Sequence, residues 1–154
     1  MALMKKNNFP VLLYGVAFLA VLLLCVPPSH ATKKSVKQQI AKSRFDEGYG
    51  YYMAKKYQQA IESYSKAIEA DPKYVAAYCG RAVAYGDLGD YRRAIEDCDK
   101  AIKIKPKFPA AYYYRGKFYS LLDDNKRSIK DYKTAARLGE KEAQKLLKSQ
   151  NIPW

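Results

Sequence analysis

Histidine is almost missing from this chain. Its one copy, His30, falls within the first thirty residues. The commonest general acid and base at neutral pH is therefore absent from everything that follows. Cysteine is scarce as well, at positions 25, 79 and 98 only. Cys79 and Cys98, nineteen residues apart and without another ligand-rich motif, do not make a metal site. Neither sits in a CxxC context for redox chemistry. The chain also lacks a phosphate-cradling glycine loop and a serine nucleophile elbow. No enzyme activity and no cofactor is expected. Two further gaps concern order along the chain. No acid occurs before Asp46, and no proline stands between Pro28 and Pro72.

The acid-free start has its own composition. Lys5 and Lys6 precede residues 11–26, which are apolar apart from the tyrosine hydroxyl and are broken only by Gly15. Pro27 and Pro28 end the run, and Ser29-His30-Ala31 sets two small residues at the spacing of an export cleavage site. Residues 1–31 thus read as a secretory signal peptide cut after Ala31. The alternative is an uncleaved anchor, although sixteen residues are short against the roughly 20 that a membrane helix needs. Leu24, rather than a small residue, precedes Cys25, which argues against lipidation. The expected location is periplasmic or secreted, with membrane anchoring by the N-terminal segment as the alternative. Cleavage would remove two lysines and no acid, leaving a net charge of about +11 from the whole chain's +13. Such a balance suits a nucleic acid, an anionic membrane surface or an acidic partner. Export disfavours nucleic acid. The lysines are spread over every segment, and many alternate with acids as on ordinary solvated helix faces.

What the remainder has in abundance is repetition. Residues 91–107, YRRAIEDCDKAIKIKPK, match residues 57–73, YQQAIESYSKAIEADPK, at nine of seventeen positions. A weaker third copy, at the same lag, begins at Asn125. Ala60, Ile61, Tyr64, Ala67 and Ile68 recur at spacings of three and four, which is one apolar helical stripe. Helices are expected at 57–70, 74–85, 91–104, 108–122, 126–138 and 140–149, with a further one starting at Gln39 after a flexible basic lead-in at 32–38. Asp71-Pro72 and Lys105-Pro106 stop helices, because the residue before proline is pushed out of the helical region. Gly139 is expected to cap the last repeat helix. Asp97 and Asp131, beside Lys100 and Lys130, read as surface or intra-repeat ion pairs.

These residues resemble the tetratricopeptide repeat, a helix–turn–helix unit of about 34 residues. Gly48, Ala82 and Gly116 match its small residue at the helix crossing. Ala60 and Ala94, then Ala67, Ala101 and Ala135, match its inward alanines. Tyr51, Tyr85 and Tyr119 match the large aromatic of the first helix, and Pro72 and Pro106 the closing proline. The resemblance implies an all-α solenoid of three stacked units, at 41–74, 75–108 and 109–142. A capping helix at 140–150 overlaps the last, and a tail occupies 151–154. A terminal cover is what a stacked array needs for solubility.

The resemblance also implies a concave groove lined by the first helices. Carried over, it would involve Lys42, Phe45, Tyr49, Tyr52 and Met53 from unit one. Unit two would offer Ala76, Cys79, Val83 and Asp87; unit three, Tyr113, Lys117, Ser120 and Leu121. An aromatic end of this kind suits an extended or helical peptide with an apolar anchor. One subtype of the family grips a peptide's terminal carboxylate with lysine, arginine and asparagine. Here Phe45, Tyr49, Gly80 and Tyr114 occupy those places, so that clamp is absent. The expected role is a protein-interaction module or assembly adaptor. The alternatives are self-association through the aromatic edge, a basic surface against anionic lipid, and a nucleic-acid binder stacking bases on Tyr112, Tyr113 and Tyr114. Cys79 and Cys98 could pair or stay free, and Trp154 could pack on the cap or lie exposed.

Overall fold

Prolines and turn residues decide where this chain bends, and the computed structural model, which describes residues 30–154, bends there. Seven helices and no strand are present among the described residues: α1 His30–Met53, α2 Tyr57–Ala70, α3 Val75–Asp87, α4 Tyr91–Ile104, α5 Pro109–Leu121, α6 Asn125–Arg137 and α7 Lys141–Ser149. By contacts the chain divides into Met1–Lys34 and Ser35–Trp154, and the helical stack is the second of these. The apolar run at 11–26 and Cys25 lie outside the described residues. Among the described residues no helix is long and apolar enough to cross a membrane.

One boundary departs from expectation. The lead-in at 32–38 is helical, and α1 begins at His30, well before Gln39. The stretch contains no proline or glycine and is rich in lysine and, towards its end, glutamine, both good helix formers. Its apolar members Val36 and Ile40 remain exposed.

The other boundaries follow from local chemistry. α2 stops at Ala70 and α4 at Ile104, in each case two residues before a proline. Asp90 and Asp124 cap α4 and α6 by accepting from the N–H groups of Arg93 and Arg127. The turn inside each repeat needs one residue in the left-handed region. Lys55 (φ 58°), Gly89 (φ 82°) and Asp123 (φ 59°) fill that place at the same register of successive repeats. Gly139, at φ 96°, ends the third repeat.

Packing alternates alanine with aromatics. Ala60, Ala67, Ala82, Ala94, Ala101 and Ala135 are completely buried. Tyr64, on α2, is clasped between α1 and α3. A Cβ added to Gly48 would meet its ring at 2.8 Å, and one added to Gly80 at 2.7 Å. The helices can approach there only because no side chain separates them. Gly116 does the same for α5, letting the Ser128 carbonyl and the Tyr132 ring come close. From α2 onward each helix packs on the next, and α3 also touches α5. α7 closes the stack with Ala143 and Leu147, both buried in a cluster with Tyr132, Ala135 and Ala136. Ile152 of the tail packs on that cluster, whereas Trp154 is 43% exposed.

Asp97 and Asp131 form intra-repeat ion pairs, but with arginines rather than with the neighbouring lysines. Both are buried, and each takes a two-pronged bond from an arginine sixteen residues earlier. Arg81 Nε and Nη2 donate to Asp97 at 2.8 and 2.7 Å, and Arg115 does likewise to Asp131 at 2.7 and 2.8 Å. The third guanidinium nitrogen reaches back to the preceding repeat, at Ser65 for Arg81 (2.9 Å) and Asp99 for Arg115 (2.6 Å). Arginine suits this place because its planar fork matches a carboxylate and leaves a donor to spare. Each arginine thus ties three helices together. Cys79 and Cys98 are free and buried.

Candidate functional site

The site is built from the first helices of the repeats. On α1, Phe45, Tyr49 and Tyr52 stand at i, i+4 and i+7, a single stripe. On α3, Ala76, Cys79, Gly80 and Val83 share a face by the same arithmetic. Phe108, the last residue of the second repeat, and Ala110 and Tyr114 of α5 complete the lining. With Tyr64 of α2 as floor, these side chains enclose a recess of about 210 Å³. The small residues of α3 make the hollow, and the aromatics of α1 and α5 wall it.

The rings are fixed by their neighbours. Phe45 packs on Tyr64 and Tyr74 with ring centres 5.5 and 5.4 Å apart. The Tyr52 hydroxyl donates to the Asp87 carboxylate at 2.8 Å, joining α1 to α3 at the rim. Tyr113 lies edge-on to Tyr114 at 5.5 Å. Burial pushes the Tyr64 hydroxyl and the Cys79 thiol each up to about 12. It also raises Tyr114, and burial followed by the Asp87 bond holds Tyr52 well above the usual tyrosine range. These tyrosines and the thiol of the wall are therefore neutral at physiological pH. A recess of this chemistry accepts an apolar or aromatic side chain, and it offers a carboxylate or phosphate no positive partner.

Six residues expected in the groove, namely Phe45, Tyr49, Tyr52, Ala76, Cys79 and Val83, come together here. Seven others do not line the recess; of these, Asp87 accepts from Tyr52 at its rim and Ser120 is exposed on α5. Lys42 pairs with Asp46 on its own helix at 2.7 Å. Met53 is 63% exposed beyond the rim, and Lys117 and Leu121 are exposed on α5. Tyr113 turns to the C-terminal cluster, its ring 5.8 Å from Tyr132. Phe108, Ala110, Tyr114, Gly80 and Tyr64 join the lining without having been expected there. Ala110 and Tyr114 stand one repeat after Ala76 and Gly80, so the repeat register carried a signal for them. A second, open recess of about 420 Å³ lies at the turn edge between Leu88 and Leu122. Of its charges, Arg93 is held by Asp90 and lies 4.5 Å over the Tyr85 ring. Among the described residues no cluster of three metal-ligating side chains occurs.

Comparison with known proteins agrees with the fold. A tetratricopeptide repeat family model matches residues 75–108, and a TPR repeat model matches residues 48–89. Hsp70-Hsp90 organizing protein 3 of Arabidopsis thaliana is 38% identical over 63 residues, a stretch that is 37% of this chain and 11% of that protein. Among solved structures, the first TPR of Spaghetti (RPAP3), bound to the HSP90 peptide SRMEEVD, superposes with a TM-score of 0.69. It is 30% identical, over 73% of this chain and 90% of that one. The second TPR of the same protein, bound to the same peptide, is 31% identical over 68% of this chain and 96% of that one, with a TM-score of 0.66.

Proposed function

Because the chain belongs to the tetratricopeptide repeat family, we propose that it is a non-enzymatic interaction module that seats a peptide or protein segment in the groove of α1, α3 and α5. An apolar or aromatic side chain of that segment enters the recess between Phe45 and Tyr114. The single observation that carries this reading is the recess itself, a hollow floored and walled by aromatic rings where the helices of a closed stack would leave none. The relatives that hold the HSP90 peptide support peptide binding in such a groove. The occupant differs in chemistry. Phe45, Tyr49, Gly80 and Tyr114, at the places of the carboxylate-gripping residues, all belong to the recess wall here. The anchor is thus an internal apolar side chain, and an acidic chain terminus is a poor ligand.

The test is a peptide library read by fluorescence anisotropy, with SRMEEVD as comparison. Peptides carrying a leucine, methionine or aromatic anchor should bind, and replacing that anchor by alanine should cost tenfold or more. Phe45→Ala and Tyr49→Ala should weaken the same peptides while the far-ultraviolet circular dichroism stays unchanged. Preference for SRMEEVD, or partners retained unchanged by both variants in a pull-down from the envelope fraction, would refute the reading. The site of action proposed is the cell envelope or exterior, on the strength of residues 1–31. Sequencing the N-terminus of the protein from cells checks this: Thr32 marks export and cleavage, and Met1 marks a retained anchor.

A further inference from the structure

Four register positions of the second helices change sign along the stack. On α2 they are Gln58, Glu62, Ser65 and Glu69. On α4, one repeat on, they are Arg92, Glu96, Asp99 and Lys103. On α6 they are Lys126, Lys130, Lys133 and Arg137. The formal charge of the set runs from −2 through zero to +4. The spacing i, i+4, i+7, i+11 keeps each set within about 60° of arc. The α6 set is therefore one line of cations about 16 Å long. Lys126, Lys130 and Arg137 are exposed, Lys133 is half-exposed, and none of the four is ion-paired among the described residues. Of the acids nearby, Asp123 and Glu140 stand beyond the two ends of α6 without an ion pair among the described residues, and four are engaged elsewhere. Asp124 is held by Arg127, Asp131 and Asp99 by Arg115, and Glu142 by Lys145. An even scatter of lysines in the sequence is thereby gathered by helical register into one face at the C-terminal end.

We propose that this face of α6 is a docking surface for an anionic lipid bilayer. The line of cations is long, of one sign and without an intervening acid, and none of its four residues lines either recess. That arrangement matches a delocalised sheet of headgroup charge better than a shaped partner. The same chain carries the apolar run at 11–26, whose use as export signal or anchor brings it to a membrane. One hydrophobic element and one polybasic patch are together the usual requirement for stable attachment. The proposal does not rest on the peptide groove, which lies on other helices.

The experiment is co-sedimentation of the full chain with vesicles of phosphatidylcholine alone, or of phosphatidylcholine and phosphatidylglycerol mixed two to one. Neutral vesicles report what the N-terminal run contributes. Binding to anionic vesicles should exceed binding to neutral ones and should fall steeply between low salt and about 0.5 M, as screening shortens the field. Each lysine near an anionic surface strengthens binding about fivefold. The variant carrying Lys126→Gln, Lys130→Gln, Lys133→Gln and Arg137→Gln should lose nearly three orders of magnitude on that account. Glu62→Gln with Glu69→Gln, at the acidic end, should lose nothing. Circular dichroism and groove-peptide affinity of both variants monitor folding and separate this failure from failure of the groove. Equal binding to both vesicle types, retention by the quadruple variant, or displacement from vesicles by an oligonucleotide at equal phosphate would overturn the proposal.

Discussion

At the scale of single residues, two devices hold the stack. The first is Tyr64 between Gly48 and Gly80. Gly48→Ala gains helix propensity but drives a methyl group into a ring that cannot retreat, and a net loss of about 1–3 kcal/mol is expected in urea unfolding. The second is the arginine bridge. Asp97→Ala strands Arg81, whose side chain is only 20% exposed, and should destabilise by about 3 kcal/mol. Removing both charges together, as Arg81→Met with Asp97→Leu, should restore most of it. Burial gives a third expectation, in pH. Tyr64 is raised from about 10 to about 12 in the folded state and Cys79 from about 9 to about 12, so both stay protonated there while the unfolded chain ionises. Their stabilisation is complete below about pH 9 and disappears as pH rises towards 12. Denaturant midpoints measured from about pH 8 to about pH 11 should fall across that window. Gly48 was legible from the repeat as a crossing residue, and Gly80 was not. The arginine partners were not, because an ion pair sixteen residues apart needs the hairpin geometry to be seen.

At the scale of elements, the turns are where sequence and geometry diverge most usefully. One place in each repeat requires positive φ, yet only the second repeat uses glycine. Lys55→Gly and Asp123→Gly should each relieve left-handed strain and raise stability by up to about 1 kcal/mol, and Gly89→Ala should lower it by a similar amount. Thermal unfolding of the three variants checks the sign at each site. α1 teaches the converse. Its opening turns have no periodic apolar face, so the sequence reads as a loose lead-in, but good helix formers continue a helix already nucleated and packed further on. α5 shows a subtler difference. Tyr113 and Tyr114 are neighbours about 100° apart, one repeat after Cys79 and Gly80, so the register offers both to the groove. Packing of Tyr113 against Tyr132 turns Tyr114 towards the recess instead.

At the scale of the whole molecule, stability is passed from repeat to repeat, and the end needs closing. Leu147 of α7 is completely buried against Tyr132, Ala135 and Ala136. Leu147→Ala should cost about 2–5 kcal/mol. In a linear array that loss falls first on the last repeat, so amide exchange should quicken in α5 and α6 before α2. Helix content, the length of the repeat unit, the inward alanines and the closing prolines were all settled by local order along the chain. Each depends on backbone propensity or on a period, and both are properties of neighbours in sequence. The aromatic recess, the three-helix arginine bridges and the cationic line of α6 were settled only by the tertiary structure. Each joins side chains from different repeats or from different turns of one helix, and only stacking fixes which of two adjacent residues faces the groove, the core or the solvent.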